Sequence, residues 1–268
     1  MKDWRKPLNI TNNSHNTLCT VCGKHTTEPI LSSYRSIPYR YCCNCKCVYL
    51  ADESNINPDL YTDDYLGNTK CTAEHIKTYG GIFNYLYESI KIAIDKDCGT
   101  FLEIGFGNPG VLAYANKAGF KCTGIDLSLP DSMKKALNKI GITTIKGNFI
   151  NVEIEDTFDV IWMSHFVEHF KPKCLIAEII PKVTKLLNPD GVIAIITPDA
   201  SLYGTQYDEL FYGNCKNNEH YVIYDVDAFS DHIMKPKGFT RYWKSRYVEG
   251  KKFHTKGEWR SFFGKKFV

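Results

Sequence analysis

The stretch that decides the fold is Phe101-Leu-Glu-Ile-Gly-Phe-Gly-Asn-Pro-Gly110. Residues 100–104 form a short apolar run, which is typical of a buried strand. Three glycines follow within six residues: Gly105, Gly107 and Gly110. They predict a tight turn whose backbone can approach a ligand closely, and Pro109 suits the first turn of a helix predicted over residues 111–118. The pattern G-x-G-x-x-G thus indicates a nucleotide-type site without deciding which ligand binds.

Glu103 narrows the choice of ligand. A carboxylate two residues before the first glycine would repel the pyrophosphate of a dinucleotide, which argues against a nicotinamide oxidoreductase. It would attract a ligand that carries ammonium and sulfonium charges, as S-adenosylmethionine does. At these residues the sequence resembles motif I of the class I methyltransferases, the strand-turn-helix E/D-x-G-x-G-x-G. The alternative is a chance glycine turn in another α/β protein.

The fold class follows from the pattern after this turn. Strands and helices alternate, so a parallel sheet is expected. The predicted strands are residues 121–126, 142–145, 158–163 and 192–197. The resemblance implies an α/β protein with the Rossmann-like seven-stranded sheet of the methyltransferases.

The resemblance also implies the remaining cofactor-binding residues. Asp126 ends the second strand, where an acid holds the ribose hydroxyls of S-adenosylmethionine, and Leu127 follows it. Asn148 and Phe149 stand where a polar side chain and a backbone amide contact adenine. Ser164 closes the fourth strand. The alternative for Asp126 is a helix N-cap, a role that neighbouring residues can also fill.

A polar cluster follows the fourth strand, with His165, Glu168 and His169 as catalytic candidates. Ligands of such sheets bind beyond the carboxyl ends of the strands. The literal pattern H-x-x-E-H also fits a metalloprotease helix, but here it follows a strand. His220, after a long segment over residues 200–218 predicted to be a substrate lid, is a further candidate.

Two chemical roles stay open for this cluster. Glu168-His169 resembles the Glu-His pair of a methyltransferase branch in which ubiquinone-type O-methyltransferases carry E-x-x-E-H and use it for a divalent metal. Here His165 replaces the first Glu, so it becomes the first candidate for a general base, with His169 second. The rival is a divalent metal held by His165, Glu168 and His169. A purely structural role for the pair is the remaining alternative.

Cysteines define a second site. Eleven cysteines in a chain of this kind favour metal over disulfides. Cys19-x-x-Cys22 and Cys42-x-x-Cys45 have the spacing of a tetrahedral structural zinc site. Cys47 is predicted to pack in the core, while a shift of ligand to Cys43, or unpaired core thiols throughout, stay as alternatives.

The cysteine segment resembles the zinc-binding N-terminal module of sugar methyltransferases, the deoxysugar C-methyltransferases above all. It shares Cys-x-x-Cys-Gly, then Tyr-Arg-Tyr-Cys-x-x-Cys, and the tyrosine-rich residues 60–65. We therefore predict a zinc-binding module over residues 1–60, a helical connection over 61–95 with a helix at 73–94, and the S-adenosylmethionine-binding domain over 96–268.

Composition bounds the partners. The 268 residues carry a net charge of +3 and contain no apolar run long enough to span a bilayer, so we expect a cytoplasmic protein. From Lys235 onward, 11 Lys and Arg face 2 Asp and Glu. This basic tail predicts an anionic partner.

These observations lead to one expected function and two alternatives. We expect methyl transfer from S-adenosylmethionine to a hydroxyl of a small anionic acceptor, a sugar or nucleotide-linked sugar of surface-glycan biosynthesis; the acceptor class comes from the resemblance. C-methylation of a keto-deoxysugar nucleotide is the nearest alternative. The second alternative is a methyltransferase that binds RNA or protein through the zinc module and the basic tail.

Overall fold

A computed structural model describes residues 18–25, 30–32, 38–51, 56, 73–203, 219–247 and 258–265. The predictions for the tyrosine-rich residues 60–65 and for most of the substrate lid, residues 204–218, lie outside these ranges. Within the described ranges, no helix combines the length and the apolar content needed to cross a bilayer.

The strands of the described residues form two sheets. In chain order they are β1 (Ile30–Ser32), β2 (Pro38–Tyr41), β3 (Val48–Leu50), β4 (Thr100–Ile104), β5 (Lys121–Asp126), β6 (Thr143–Lys146), β7 (Phe158–Ser164), β8 (Leu187–Pro198), β9 (Val222–Ile223), β10 (Thr240–Tyr247) and β11 (Glu258–Gly264). The larger sheet has the order β10-β11-β8-β7-β4-β5-β6 and the smaller one β1-β2-β3-β9. The predicted seven-stranded, mostly parallel α/β sheet is confirmed.

Among the described residues, α-helices lie between several consecutive strands of the large sheet. The α-helices are α1 (Ala73–Ile94), α2 (Gly110–Lys117), α3 (Asp131–Lys139), α4 (Pro172–Cys174), α5 (Ile180–Leu186) and α6 (Val226–Phe229). Two helical stretches contain π-helical turns, at Leu175–Ile179 and Ser230–Met234. A proline stands just after each turn, Pro181 and Pro236, and proline has no N–H for the regular i−4 hydrogen bond.

The chain divides into two compact units. The first contains Met1–Asn57, His165–Ala177 and Ile196–Ser261; the second contains Pro58–Ser164, Glu178–Ile195 and Phe262–Val268. Each unit is therefore assembled from separate stretches of sequence, whereas the predicted boundaries at residues 60 and 95 separate contiguous pieces.

The second unit contains the glycine turn. Strands β4 and β5 pair in parallel, and β4 pairs with β7 so that Ile104 lies opposite Met163. An aromatic cluster of Phe83, Phe101 and Trp162 fills the space between α1 and the sheet, with ring centroids about 6 Å apart. Parallel strands buried in this way direct their carboxyl ends to one edge of the sheet.

The first unit contains the cysteines. Its four-stranded sheet joins the β2–β3 hairpin to β9, with Val48 opposite Ile223. Both residues are fully buried and belong to one apolar cluster with Tyr39 and Ala200. The cysteine segment is therefore part of a core shared with residues far along the sequence.

Candidate functional site

The glycine turn connects β4 to α2 in left-handed backbone conformations. Gly105 has φ 69° and Gly107 has φ 48°, values that side chains disfavour. The Gly105 N–H donates to the carbonyl of Ile125 at 2.8 Å, and the Gly107 N–H donates to Asp126 Oδ2 at 2.8 Å. Asp126 therefore fixes the turn as well as standing at the end of β5.

Gly110 has a different role from the other two glycines. A Cβ at Gly110 would lie 2.6 Å from the carbonyl oxygen of Ile76 and 2.9 Å from the backbone nitrogen of Gly80 in α1. The missing side chain thus allows α1 and α2 to pack closely. The predicted contact of Gly110 with the cofactor stays a prediction.

Glu103 is buried at the end of β4 with an unsatisfied oxygen. No hydrogen-bond partner for Oε2 exists among the described residues. Burial, and to a lesser extent the charge of Asp126, raise the pKa of Glu103 well above its ordinary value, although the Leu112 N–H acts in the opposite direction. A cationic ligand would satisfy this carboxylate, so the site fits the ammonium group of S-adenosylmethionine.

Asp126 is held rigidly beside Glu103. Its Oδ1 accepts a hydrogen bond from the Ser128 N–H at 2.9 Å, while Oδ2 is held by Gly107. Burial raises the pKa of Asp126, and these backbone N–H groups counteract the rise. Leu127, the next residue, exposes its apolar side chain.

The turn after β6 contains the proposed adenine contacts. Asn148 Oδ1 accepts from the Ile150 N–H at 2.9 Å, and Phe149 is buried. Lys182 Nζ donates to the Ile150 carbonyl at 3.1 Å and to the Val152 carbonyl, and lies 5.0 Å from the Phe149 ring centroid. Lys182 was not predicted, because nothing in its local sequence connects α5 to this turn.

His165 begins a polar cluster in the first unit. It adopts a left-handed φ of 49°, which a side chain other than glycine rarely takes. Its Nδ1 lies 3.1 Å from Glu168 Oε1 and its Nε2 lies 2.8 Å from Glu258 Oε1. Ionised carboxylates only accept hydrogen bonds, so this arrangement suits an imidazolium that donates from both nitrogens.

Glu168 lies at the centre of the cluster. It is fully buried, and its Oε2 accepts from the Thr197 hydroxyl at 2.8 Å. Burial opposes its ionisation, but the hydrogen bond from His165 and the charge of that imidazolium outweigh burial and hold the pKa of Glu168 well below its ordinary value. The hydrogen bond between His165 and Glu168 thus brings two of the predicted catalytic candidates together.

His169 is oriented differently from His165. Its Nδ1 lies 3.1 Å from the carbonyl oxygen of Glu219. Because a carbonyl only accepts, Nδ1 carries the proton, and Nε2 of the neutral ring has the lone pair. The ring of His220 packs edge-on against His169, with centroids 4.9 Å apart.

The metal ligand set predicted at this cluster needs correction. Possible ligand atoms of Glu168, His169 and His220 lie within 4.8 Å of one another. His165, which the sequence reasoning placed in the set, has both ring nitrogens on carboxylates and has no free lone pair when both donate. Two residues of this cluster, Glu258 and Thr197, were not predicted from the sequence. Thr197 ends a predicted strand, so the rule that ligands bind at the carboxyl ends of strands could have found it. No feature of the local sequence distinguishes Glu258.

The four predicted cysteines come together. Sγ atoms of Cys19 and Cys45, and of Cys22 and Cys42, lie 3.7 Å apart, and all four lie within 4.8 Å. A tetrahedron with ~2.3 Å zinc–sulfur bonds has edges of ~3.8 Å. The separations therefore fit a tetrahedral tetrathiolate site.

Both cysteine turns have the same backbone geometry. Gly23 N donates to the Cys19 carbonyl at 2.9 Å, and Lys46 N donates to the Cys42 carbonyl at 2.7 Å. Gly23 and Lys46 both have positive φ. Backbone N–H groups also approach Sγ of Cys19 and Cys42 at 3.4 Å, as donors do at thiolate ligands.

The pKa of three of these thiols, Cys19, Cys42 and Cys45, is raised, so a bound cation would favour their ionisation, while the pKa of Cys22 is lowered. Burial raises the pKa of Cys42 to about 11, and the hydrogen bond between Cys19 and Cys45 contributes most to a raised pKa of Cys19. Cys47 is buried, and its Sγ accepts from the Asp225 N–H at 3.4 Å, which agrees with the predicted core role. Cys43 is exposed and lies outside the cluster.

Comparisons with known proteins agree with this geometry. A family model described as "Methyltransferase domain" matches residues 83–241. A comparison with curated protein sequences gives no significant match. Among solved structures, a protein from Pyrococcus horikoshii OT3 is 16% identical, with 78% of this chain and 96% of that chain covered and a TM-score of 0.51.

Two further structures share the fold at low identity. The plantazolicin methyltransferase BpumL in complex with SAH is 14% identical over 79% of this chain and 95% of its own, with a TM-score of 0.52. An O-methyltransferase from neocarzinostatin biosynthesis was solved in complex with S-adenosylmethionine and 2-hydroxy-5-methyl naphthoic acid. It is 11% identical, with 75% of this chain and 60% of that chain covered and a TM-score of 0.50.

A mostly parallel seven-stranded sheet with a glycine turn and acids at neighbouring strand ends defines the class I methyltransferase fold. The chain belongs to the methyltransferase-domain family, whose model covers more than half of it. It is an S-adenosylmethionine-dependent methyltransferase.

Proposed function

We propose that the protein methylates a hydroxyl group and that His169 is the general base. The observation that carries this proposal is the hydrogen bond of His169 Nδ1 to the Glu219 carbonyl. It leaves Nε2 as an acceptor in the neutral ring, which is the state a base needs. His165, the first candidate from sequence, is better suited to a fixed cation between Glu168 and Glu258.

Some of the cofactor residues would bind through charge or hydrogen bonds, and others through apolar contact. Glu103 would pair with the ammonium group, because its buried carboxylate has an unsatisfied oxygen. Asp126 would accept from the ribose hydroxyls, and exposed Leu127 would cover one face of adenine. Asn148 and Phe149, on the turn fastened by Lys182, would contact the adenine edge. Gly105, Gly107 and Ser164 would border the same ligand.

The protein's part in the reaction is to orient the acceptor and accept its proton. Bound S-adenosylmethionine supplies an activated methyl group on a sulfonium leaving group. His169 Nε2 would take the hydroxyl proton as the acceptor oxygen attacks. The imidazolium so formed would be stabilised by Glu168, which stays ionised, and His220 would pack against it. Orienting both reactants provides the rest of the rate enhancement.

A divalent metal held by Glu168, His169 and His220 is the second candidate chemistry. Two imidazoles and one carboxylate form a common set for divalent metals, and the His169–carbonyl bond is typical of a metal-bound imidazole. Elemental analysis separates the two cases. A second metal equivalent, lost in His220→Ala, would favour this alternative over His169 as a free base.

We further propose that Cys19, Cys22, Cys42 and Cys45 bind one structural zinc ion. The sulfur separations and the two matching turns support this assignment. Thiolate ligands persist in a reducing compartment, which agrees with a cytoplasmic location. The zinc would fasten the β2–β3 hairpin.

For the acceptor we propose a sugar or nucleotide-linked sugar of surface-glycan biosynthesis. The support is the resemblance of the cysteine segment to sugar methyltransferases and the excess of basic residues after Lys235. C-methylation of a keto-deoxysugar would also use a base, so product analysis must decide. RNA would bind through the basic tail in a strongly salt-dependent manner, which a nucleotide sugar would not.

The test combines labelled S-adenosylmethionine with a panel of nucleotide sugars. We expect a labelled O-methyl product with the wild type. His169→Ala should lower turnover by ~100- to 10,000-fold without changing cofactor affinity, and His232→Ala serves as the matched histidine control. Full turnover of His169→Ala would exclude His169 as the base.

A further inference from the structure

The hairpin that contains half of the cysteine cluster also supports the catalytic histidines. Cys42 and Cys45 lie in the turn between β2 and β3, and β3 pairs antiparallel with β9. Strand β9 begins two residues after His220. All of these residues belong to the first unit.

Two consecutive residues before β9, His220 and Tyr221, are held by three hydrogen bonds. The Tyr39 hydroxyl donates to the His220 carbonyl at 3.2 Å. The Leu50 N–H donates to the Tyr221 carbonyl at 2.9 Å, and the Tyr221 N–H donates to the Glu168 carbonyl at 2.8 Å. Tyr39 is fully buried in β2, so its hydroxyl has a fixed position.

The carbonyl just before these positions sets the state of His169. Glu219 O accepts from His169 Nδ1 at 3.1 Å, so the location of this one carbonyl selects the tautomer with the lone pair on Nε2. If the backbone at residues 219–221 shifted, Nδ1 would lose its acceptor. The tautomer with the proton on Nε2 would then become populated, and in that tautomer Nε2 cannot accept a proton.

We propose that Tyr39 is a positioning residue for His169. It acts through the backbone of residues 219–221, and the cysteine turn at Cys42–Cys47 anchors the strands on either side of it. The cysteine cluster thereby supports catalysis without contacting the reacting atoms. The inference rests on the proposed role of His169 as the base, but its structural part can be measured separately.

The test uses Tyr39→Phe, which removes only the hydroxyl, and Tyr85→Phe on the exposed face of α1 as the control. Nitrogen-15 spectra of the histidine rings report the tautomer of His169. We expect the wild type and the control to show one tautomer protonated at Nδ1, and Tyr39→Phe to show a mixture. Turnover should fall roughly 10-fold in Tyr39→Phe, as for other residues that orient a reactive imidazole, while cofactor affinity stays the same.

The outcomes separate the two proposals. A tautomer mixture with reduced turnover supports both. A tautomer mixture with unchanged turnover supports the positioning role and rejects His169 as the base. An unchanged tautomer overturns the inference, whatever the turnover. Cys42→Ser is a second variant. It alters the turn between β2 and β3 and should produce the same change in the histidine spectra.

Discussion

At the scale of single residues, buried charge dominates both candidate sites. Glu168 is ionised inside the first unit because His165 and Thr197 hydrogen-bond to it, whereas Glu103 in the second unit has an oxygen without a partner among the described residues. The pKa values of the two carboxyls are therefore shifted in opposite directions, and each shift gives a measurable prediction.

Glu168 should make the folded state sensitive to acid. Its pKa is lower in the folded protein than in the unfolded chain, so its contribution is present above the ordinary pKa of 4.5 and is lost as the pH falls toward the folded value. Urea denaturation at a series of pH values should show stability falling below about pH 5. Glu168→Gln should flatten that fall, and a fall unchanged in the variant would assign it to other carboxyls.

Glu103 should release a proton when the cofactor binds. Its raised pKa favours the protonated form in the free protein, and an ammonium group would lower that pKa. Calorimetry at a series of pH values, each in two buffers of different ionisation enthalpy, should detect this release for S-adenosylmethionine. In Glu103→Gln the binding enthalpy should no longer depend on the buffer. Glu88→Gln, an exposed control, should show the same dependence as the wild type. If Glu103→Gln also kept that dependence, Glu103 would not be the residue that binds the ammonium group.

At the scale of elements, close packing of α1 on α2 depends on Gly110. Gly110→Ala would place a methyl group against backbone atoms of α1, which cannot move aside as a side chain can. We expect a loss of about 1–3 kcal/mol in the free energy of unfolding. Gly81→Ala is the matched control in α1, because nothing lies within 4 Å of its added Cβ; it should be neutral or stabilising by up to ~1 kcal/mol. Equal effects of the two changes in denaturation curves would contradict the packing argument.

Regular elements of the second unit were predictable because their pattern is local. The apolar period located α1 at Ala73–Ile94 and the apolar runs located β4 and β5 with their observed bounds. Pairings between distant residues carried no such signal. His165 with Glu258, and Lys182 with the turn after β6, join residues whose local sequences are unrelated, so the sequence could nominate the cluster but not assign its roles.

At the scale of the whole molecule, the cysteine cluster should decide whether the first unit is held together. Cys42→Ser should remove the bound zinc and lower the thermal midpoint of unfolding, since structural zinc contributes directly to folding. Cys98→Ser, an exposed cysteine outside the cluster, should change neither. Elemental analysis and calorimetry on both variants check this; wild-type protein purified with zinc available but containing none would reject the metal.

The pairing of β3 with β9 also means that β3 is synthesised well before its partner strand. Val48 and Ile223 are about 175 residues apart, so a ribosome adding roughly 5–20 residues per second needs on the order of 10–35 seconds to supply the partner strand. During that interval the nascent hairpin exposes an unpaired strand edge, a surface that invites aggregation. Chains arrested before residue 222 should therefore be cleaved by protease within the hairpin, or bind a chaperone there, while full-length chains released from the ribosome should resist both.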